Sequence, residues 1–280
     1  MSRIQDILAK AERDGTARRT QSEGFAAPRS ATIGPRVDGT SALDTFAPTA
    51  TVPPPAVVEP ANAPAEARTA VATLHPLLVA AINPHSTVSE QYRTLRSRIS
   101  HREETAPIRS LMVTSPGAGD GKSITVANLA LTMAQEFQRR VVLVDADFRG
   151  SAVHALFGVP GTPGLAELLA GEATLDDVMV YMPDYRLTLI PAGHTPQFPT
   201  ELLGSTAMRR FVDTLRARFD RVLFDVPAVT PLADVGTLAP LTDGVLMVVR
   251  AGVTLRPALN EALAGFDDEK VLGIVLNDAR

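Results

Sequence analysis

The sequence predicts an α/β fold in which a mostly parallel sheet is flanked by helices, with a disordered N-terminal extension in front. Three observations predict it. From about residue 74 onward, short runs of Val, Leu and Ile alternate with stretches of helical period, the pattern of strand–helix–strand units whose strands are buried on both faces. A glycine-rich loop joins the first of these strands to the helix after it. The residues before 74 show neither pattern: Pro28, Pro35, Pro48, Pro53, Pro54, Pro55, Pro60 and Pro64 stand among Ala, Thr, Ser and Gly without a lasting apolar period.

Taken in order, residues 1–15 read as an amphipathic helix. Ser2 and Gln5 have capping-box spacing, Ile4, Ile7, Leu8 and Ala11 share one face, and Gly15 ends it. A helix this short is marginal alone in water, so its apolar stripe is expected to dock on its own domain or on a partner. Residues 16–73 read as a disordered linker, because they cannot bury enough apolar surface to offset the entropy of ordering. One domain is expected over 74–280. Within it the patterning predicts helices over 87–102, 122–136, 164–169, 200–219, 233–239 and 257–266. Strands are predicted over 110–114, 141–145, 187–190, 222–225, 245–249 and 272–276.

The composition excludes several chemistries. The chain of 280 residues has no cysteine, which removes disulfides, thiolate metal sites and cysteine nucleophiles. Its 27 basic against 31 acidic residues, net charge -4, argue against a dedicated nucleic-acid binder. The five histidines, 75, 85, 101, 154 and 194, lack metal-ligand spacing. No run of 18 apolar residues is present, and the start has charges where a signal peptide needs an apolar core, so a cytoplasmic chain is expected. The only lysines are Lys10, Lys122 and Lys270, and Lys122 lies inside the glycine-rich run.

That run is Thr114-Ser115-Pro116-Gly117-Ala118-Gly119-Asp120-Gly121-Lys122-Ser123, between a predicted strand and a predicted helix. Glycines let successive backbone N–H groups curl around a phosphate, and the helix points the positive end of its dipole at it. Lys122 can reach the β- and γ-phosphates and the Ser123 hydroxyl can bind Mg²⁺. The usual pattern has glycine where this chain has Pro116. The predicted strand over 141–145 runs into Asp145-Ala146-Asp147-Phe148-Arg149, placing two carboxylates at the carboxyl end of a buried strand, where ligands of open α/β sheets bind. One acid can hold Mg²⁺ or its waters and the other can take a proton from an attacking hydroxyl. A third acid, Asp225, closes the strand over 222–225 before Val226-Pro227-Ala228. The order of these three elements, each at a strand end, carries the signal.

These residues resemble the bacterial tyrosine kinase family of capsule and exopolysaccharide synthesis, a relative of the MinD/ParA ATPases within the P-loop NTPase class. Thr114–Ser123 is similar to the family's Walker A motif, Val141–Arg149 to its Walker A′ and Val222–Pro227 to its Walker B. Glu90-Gln91-Tyr92-Arg93-Thr94-Leu95-Arg96 matches an E-x-x-R-x-x-R motif that mediates ring-like self-association, through Glu90, Arg93 and Arg96. Asn277 resembles the position that contacts adenine. The resemblance implies ATP and Mg²⁺ as cofactors and phosphoryl transfer to tyrosine hydroxyls of a protein substrate. It also implies a homo-oligomer and a membrane-embedded chain-length-determinant protein, a polysaccharide co-polymerase, as separate activator. The chain would then sit in the cytoplasm, peripheral to the inner face of the membrane through that partner.

On this reading Gly117, Ala118, Gly119, Asp120, Gly121, Lys122, Ser123, Ile124 and Asn277 bind the nucleotide. Ser123, Asp147 and Asp225 organise Mg²⁺, Lys122 stabilises the phosphates, and Asp145 is the base toward tyrosine. Family kinases usually end in a tyrosine-rich tail. The only tyrosines here are Tyr92, Tyr181 and Tyr185, so the acceptor is expected on another protein and Tyr92 is expected to pack. Two other readings remain open. One is a non-catalytic ATP-binding scaffold of the polysaccharide machinery. The other is a MinD/ParA-type positioning ATPase, which carries a further lysine where this chain has Gly117.

Overall fold

The computed structural model describes residues 68–278, apart from 71, 104–106, 137 and 230–233. The expected helix over 1–15 and nearly all of the linker over 16–73 lie outside the described residues. Eight strands form one sheet among them: β1 (Arg68–Thr69), β2 (Ser110–Thr114), β3 (Val141–Asp145), β4 (Val180–Met182), β5 (Leu187–Ile190), β6 (Arg221–Asp225), β7 (Gly244–Arg250) and β8 (Val271–Asn277). The spatial order is β1-β4-β5-β3-β6-β2-β7-β8. Every neighbouring pair is parallel except β4 with β5, which run antiparallel.

The central strands are apolar on both faces because both faces are covered. Leu111, Val113, Leu143, Leu223, Leu246 and Val248 point to one side. There they meet α1 (Val79–Ile82), α2 (Thr87–Arg102), α3 (Lys122–Ala134) and α4 (Val153–Phe157). The alternate residues Met112, Val142, Val144, Val222, Phe224 and Val245 point to the other. They meet α5 (Leu165–Ala170), α6 (Leu175–Val178), α7 (Pro199–Leu203), α8 (Thr206–Arg218) and α9 (Asp234–Leu238). α10 (Arg256–Ala264) packs on Met247 and Val249 and extends this second layer. α3 is buried along its whole length from Thr125 to Ala134, as a helix lying between a sheet and other helices must be.

Three differences from the expected elements have local causes. The sheet begins earlier than residue 74: Arg68 and Thr69, inside the segment assigned to the linker, pair in parallel with Val180 and Tyr181. A two-residue strand has too little pattern to be read in advance. The helix expected over 200–219 is two helices, because the Ser205 side chain accepts the N–H of Met208 at 3.1 Å and caps α8 afresh after Gly204. β4 was not expected. It returns into β5 through a 3-10 turn at Pro183–Tyr185, closed by Arg186 at φ 53.

α5 enters the fold by close backbone docking. Leu165 and Ala166 donate their N–H groups to the carbonyls of Pro191 and Ala192, at 2.8 and 2.9 Å. A Cβ on Gly164 would sit 2.3 Å from both the Gly193 nitrogen and the Pro191 oxygen. Gly164→Ala is therefore expected to destabilise the protein by about 1–3 kcal/mol, the usual cost of overpacking against atoms that cannot move aside. Gly273→Ala, where a Cβ meets nothing within 4 Å, is expected to be near neutral. Urea denaturation of the two variants checks the contrast.

Candidate nucleotide site

The site is built at the carboxyl ends of three adjacent central strands, β3, β6 and β2. Asp145 of β3 lies in register with Asp225 of β6, and Asp225 is in register with Val113 of β2, one residue before the strand gives way to the glycine-rich loop. All three sequence motifs therefore converge on one edge of the sheet.

The loop from Ser115 to Gly121 is closed by its own polar groups. The Ser115 hydroxyl donates to the Gly117 carbonyl at 2.7 Å, and the Gly117 N–H donates to Asp120 Oδ2 at 3.1 Å. Ala118 and Gly119 form its exposed crest. Gly119 and Gly121 have φ of 85 and 93, the left-handed conformation that glycine adopts without strain. Gly121 is the N-cap of α3, and no side chain caps that helix. Its first backbone N–H groups are thus offered to an anion from outside, with the helix dipole behind them. Ile124 is half-buried against the core, so its contribution to the cradle is backbone alone.

Lys122 stands among the acids. Its Nζ lies 2.6 Å from Asp147 Oδ2, 3.7 Å from Asp225 Oδ1 and 3.3 Å from the Ser123 hydroxyl. Burial alone would push the ammonium down, but the Asp225 and Asp147 carboxylates together hold it above its ordinary value. Asp225 is fully buried, and neither carboxylate oxygen has a hydrogen-bond partner. Burial pushes its pKa up to about 7, against the pull of Lys122 and with a further push from Asp145. Asp147 Oδ1 accepts the N–H groups of Arg149 and Gly150, which leaves Oδ2 facing the lysine.

Asp145 is placed differently from the expectation of a base. It is fully buried, and its oxygens accept from the Asp147 N–H at 3.1 Å, the Ser151 hydroxyl at 2.9 Å and the Val153 N–H at 3.2 Å. Burial raises its pKa, yet both oxygens point into the chain. Its visible task is to fix the turn that aims Asp147 and starts α4.

The donor set fits Mg²⁺. Among the described residues no group of three His, Cys, Asp or Glu side chains is arranged to hold a metal by itself. Magnesium, however, is commonly held by one or two carboxylates together with phosphate oxygens and water. The orphaned oxygens of Asp225, the Oδ2 of Asp147 and the Ser123 hydroxyl supply that kind of hard oxygen donor around a place already held by a cation.

Asn277, at the end of β8, reaches the loop: its Nδ2 donates to the Asp120 carbonyl at 2.9 Å. Glu90, Arg93 and Arg96 do not join this site. On α2, Arg93 bonds Glu90 and the Pro84 carbonyl, while Arg96 reaches Glu136 at 3.3 Å and the Thr132 carbonyl at 2.8 Å. Sequence reasoning missed Ser151, Thr254 and Asp234. Asp234 is buried, bonds Thr200 and holds Arg149 Nε at 3.3 Å. The available signal was a hydroxyl or acid in a loop just past the carboxyl end of a buried strand, which fits Ser151 and Thr254.

The raised pKa of Asp225 sets a pH dependence. Its carboxyl titrates at about 7 in the folded chain and at about 3.9 in an unfolded one, so the folded state binds that proton more tightly. The stabilisation this gives is fully present below about pH 4 and is lost as pH rises through about 7. Asp225→Asn removes the titration. Without nucleotide or metal, the urea midpoint of the wild type is expected to fall more steeply than that of the variant between about pH 5 and about pH 8.5. Parallel profiles would contradict the assignment.

The chain is similar to known nucleotide-binding proteins. Residues 111–280 match the family model described as the CobQ/CobB/MinD/ParA nucleotide binding domain. The chain is 34% identical to the tyrosine-protein kinase YwqD of Bacillus subtilis over 71% of its own length and 85% of that protein's. It is 31% identical to the putative tyrosine-protein kinase CapB of Staphylococcus aureus, covering 73% of this chain and 90% of that one. The crystal structure of the chimerical protein CapA2B2 superposes with a TM-score of 0.69 at 30% identity, over 72% of this chain and 89% of that one. The kinase domain of Escherichia coli tyrosine kinase ETK does so at 0.68 and 27%, over 71% and 79%. A Walker A loop, a Walker A′ acid pair and a Walker B acid meet on one sheet edge in a chain with these relatives, and the chain belongs to the bacterial tyrosine-kinase family of capsule and exopolysaccharide biosynthesis, within the CobQ/CobB/MinD/ParA class of nucleotide-binding domains.

Proposed function

We propose that this chain is an ATP- and Mg²⁺-dependent protein tyrosine kinase that regulates polymerisation and export of a capsular or exopolysaccharide. The observation that carries the reading is the Lys122 ammonium, held by Asp147 and Asp225 at the mouth of an uncapped helix. Backbone N–H groups from Ala118 to Ile124 cradle the phosphates, with Gly117 held to Asp120 at the start of the loop, and Lys122 swings from Asp147 toward the γ-phosphoryl group. Ser123, Asp147 and Asp225 would hold the metal, which when bound would supply charge neutralisation for the phosphates. Asn277 lies at the base-binding side. The bond between the γ-phosphorus and the oxygen that bridges it to the β-phosphate of ATP breaks. The tyrosine hydroxyl oxygen bonds the phosphorus, ADP leaves with the bridging oxygen, and the phenolic proton passes to water. Transfer of this kind passes through a loose transition state in which positioning and charge stabilisation dominate. An enclosed Asp145 that positions Asp147 is compatible with it.

On this reading the acceptor is a tyrosine of another protein. Tyr92 is half-buried against the core, the Tyr181 hydroxyl is buried, and Tyr185 is half-buried in the turn between β4 and β5. Self-association through the α2 face bearing Glu90, Arg93 and Arg96 belongs to the same reading. So does a separate membrane-embedded chain-length-determinant partner that keeps the chain at the inner face of the membrane. In support, no described helix is long and apolar enough to cross a membrane, and one similar solved structure is a chimera, CapA2B2.

One observation favours a second reading, a non-catalytic ATP-binding scaffold. No acid at the cradle is both accessible and unpartnered: Asp145 accepts from three internal donors, Asp147 is ion-paired, and Asp225, although without a hydrogen-bond partner, is fully buried. Phosphotyrosine formation on a tyrosine-rich polypeptide with Mg-ATP separates the two. The kinase reading expects labelling that falls at least about a hundredfold in Lys122→Met, the scale of losing one preorganised charge on the transferring group. Equal labelling by wild type and variant would overturn it. ATP-dependent assembly without phosphotyrosine by mass spectrometry would select the scaffold.

A further inference from the structure

We propose that Thr254 is a positioning residue for the phosphate-binding loop, acting through Asp120 to set the loop's curl before a nucleotide arrives. The inference rests on the nucleotide-binding reading of that loop. Asp120 is an awkward residue for its place: a carboxylate, 4% exposed, inside a loop that must receive phosphates. An acid there stays harmless only if donors within the protein hold it. Its Oδ2 is taken by the Gly117 N–H at 3.1 Å, and its Oδ1 by the Thr254 hydroxyl at 2.7 Å. The Thr254 oxygen accepts in turn from the Arg250 N–H at 2.8 Å. The carboxylate is thereby pulled toward the β7–α10 connection and across the loop onto Gly117.

Both ends of the bond matter. A residue at 254 must donate to the carboxylate and accept from Arg250, which a hydroxyl does and a methyl does not. Without that donor, Asp120 Oδ1 is a buried carboxylate oxygen short of a partner, and it is drawn to the N–H groups of the loop that holds it. A carboxylate turned onto those competes with the phosphate for them. The same side chain also fixes the turn between Gly117 and Asp120, so its release adds ordering entropy to every binding event.

The test is equilibrium binding of fluorescent Mg-ADP to the full chain and to Thr254→Val and Thr254→Ser, with Mg-pyrophosphate as competitor. Thr254→Val is expected to weaken Mg-ADP by about tenfold, the equivalent of one hydrogen bond to a charged group. Thr254→Ser, which keeps the hydroxyl, is expected within about twofold of wild type. Pyrophosphate has no base and is expected to lose affinity in Thr254→Val by the same factor. A merely structural role would lower the unliganded urea midpoint and leave the dissociation constant of the folded fraction unchanged. Equal affinity of Thr254→Val and wild type overturns the proposal, as does a Thr254→Ser loss as large as that of valine. A loss confined to ADP would mean that Thr254 serves the base, and overturns it too. Absence of Mg-ADP binding by the wild type overturns the nucleotide reading itself, an outcome distinct from all of these.

Discussion

The site depends on one electrostatic arrangement: three carboxylates packed at the ends of two neighbouring strands around a single ammonium. Asp145 and Asp225 are in register on β3 and β6, so the sheet itself holds them together. Bringing acids this close out of water is costly unless donors or cations accompany them. The structure divides that work. Asp145 is satisfied by three internal donors, Asp147 by Lys122 and two backbone N–H groups, and Asp225 by little besides Lys122. The lysine therefore has two partners to choose between. On the proposed function, entering phosphates would draw its charge to them, and the acids it leaves would need another cation. Nucleotide and metal binding would be coupled through that exchange, a task to which lysine is better suited than arginine. A broad guanidinium bound to two acids would not trade partners as readily as a point charge on a flexible stem.

The parallel sheet, its central strands and the three motifs were legible in the sequence because each has a strong local signature. Runs such as Val141 to Val144, short and β-branched, read as strands buried on both faces, and a glycine-rich turn between such a run and a helix marks the strand's carboxyl end. What could not be read depends on contacts between distant residues. β1 and β4 exist because they pair, not because Arg68–Thr69 or Val180–Met182 has a pattern of its own. The split of the helix expected over 200–219 turns on one capping hydroxyl, Ser205.

Site roles divided the same way. Lys122 and the three acids were identified by type and order, and the structure brings them together. Which acid faces the cradle was not legible, because Asp145 and Asp147 differ only in where Ser151 and Val153 lie, and those positions are set by the turn into α4. Thr254 stands 134 residues from Asp120, so only the folded chain shows that it touches the loop. Glu90, Arg93 and Arg96 are engaged within their own chain, and any partner copy has to compete with those internal bonds or add to them.

Gly121 and Asn277 have a consequence for the order in which the protein is made. The amide of Asn277 fills the space a Cβ on Gly121 would need, 2.0 Å away, and donates to a residue 157 positions earlier in the chain. Contacts of such separation form late, since the entropy of closing the intervening chain must be met first. The loop's glycines, strand and helix are assembled from neighbouring residues, yet the wall behind them arrives only with β8. A partly synthesised or partly folded chain thus presents an unfinished cradle, whose rear wall is present only once β8 has paired with β7.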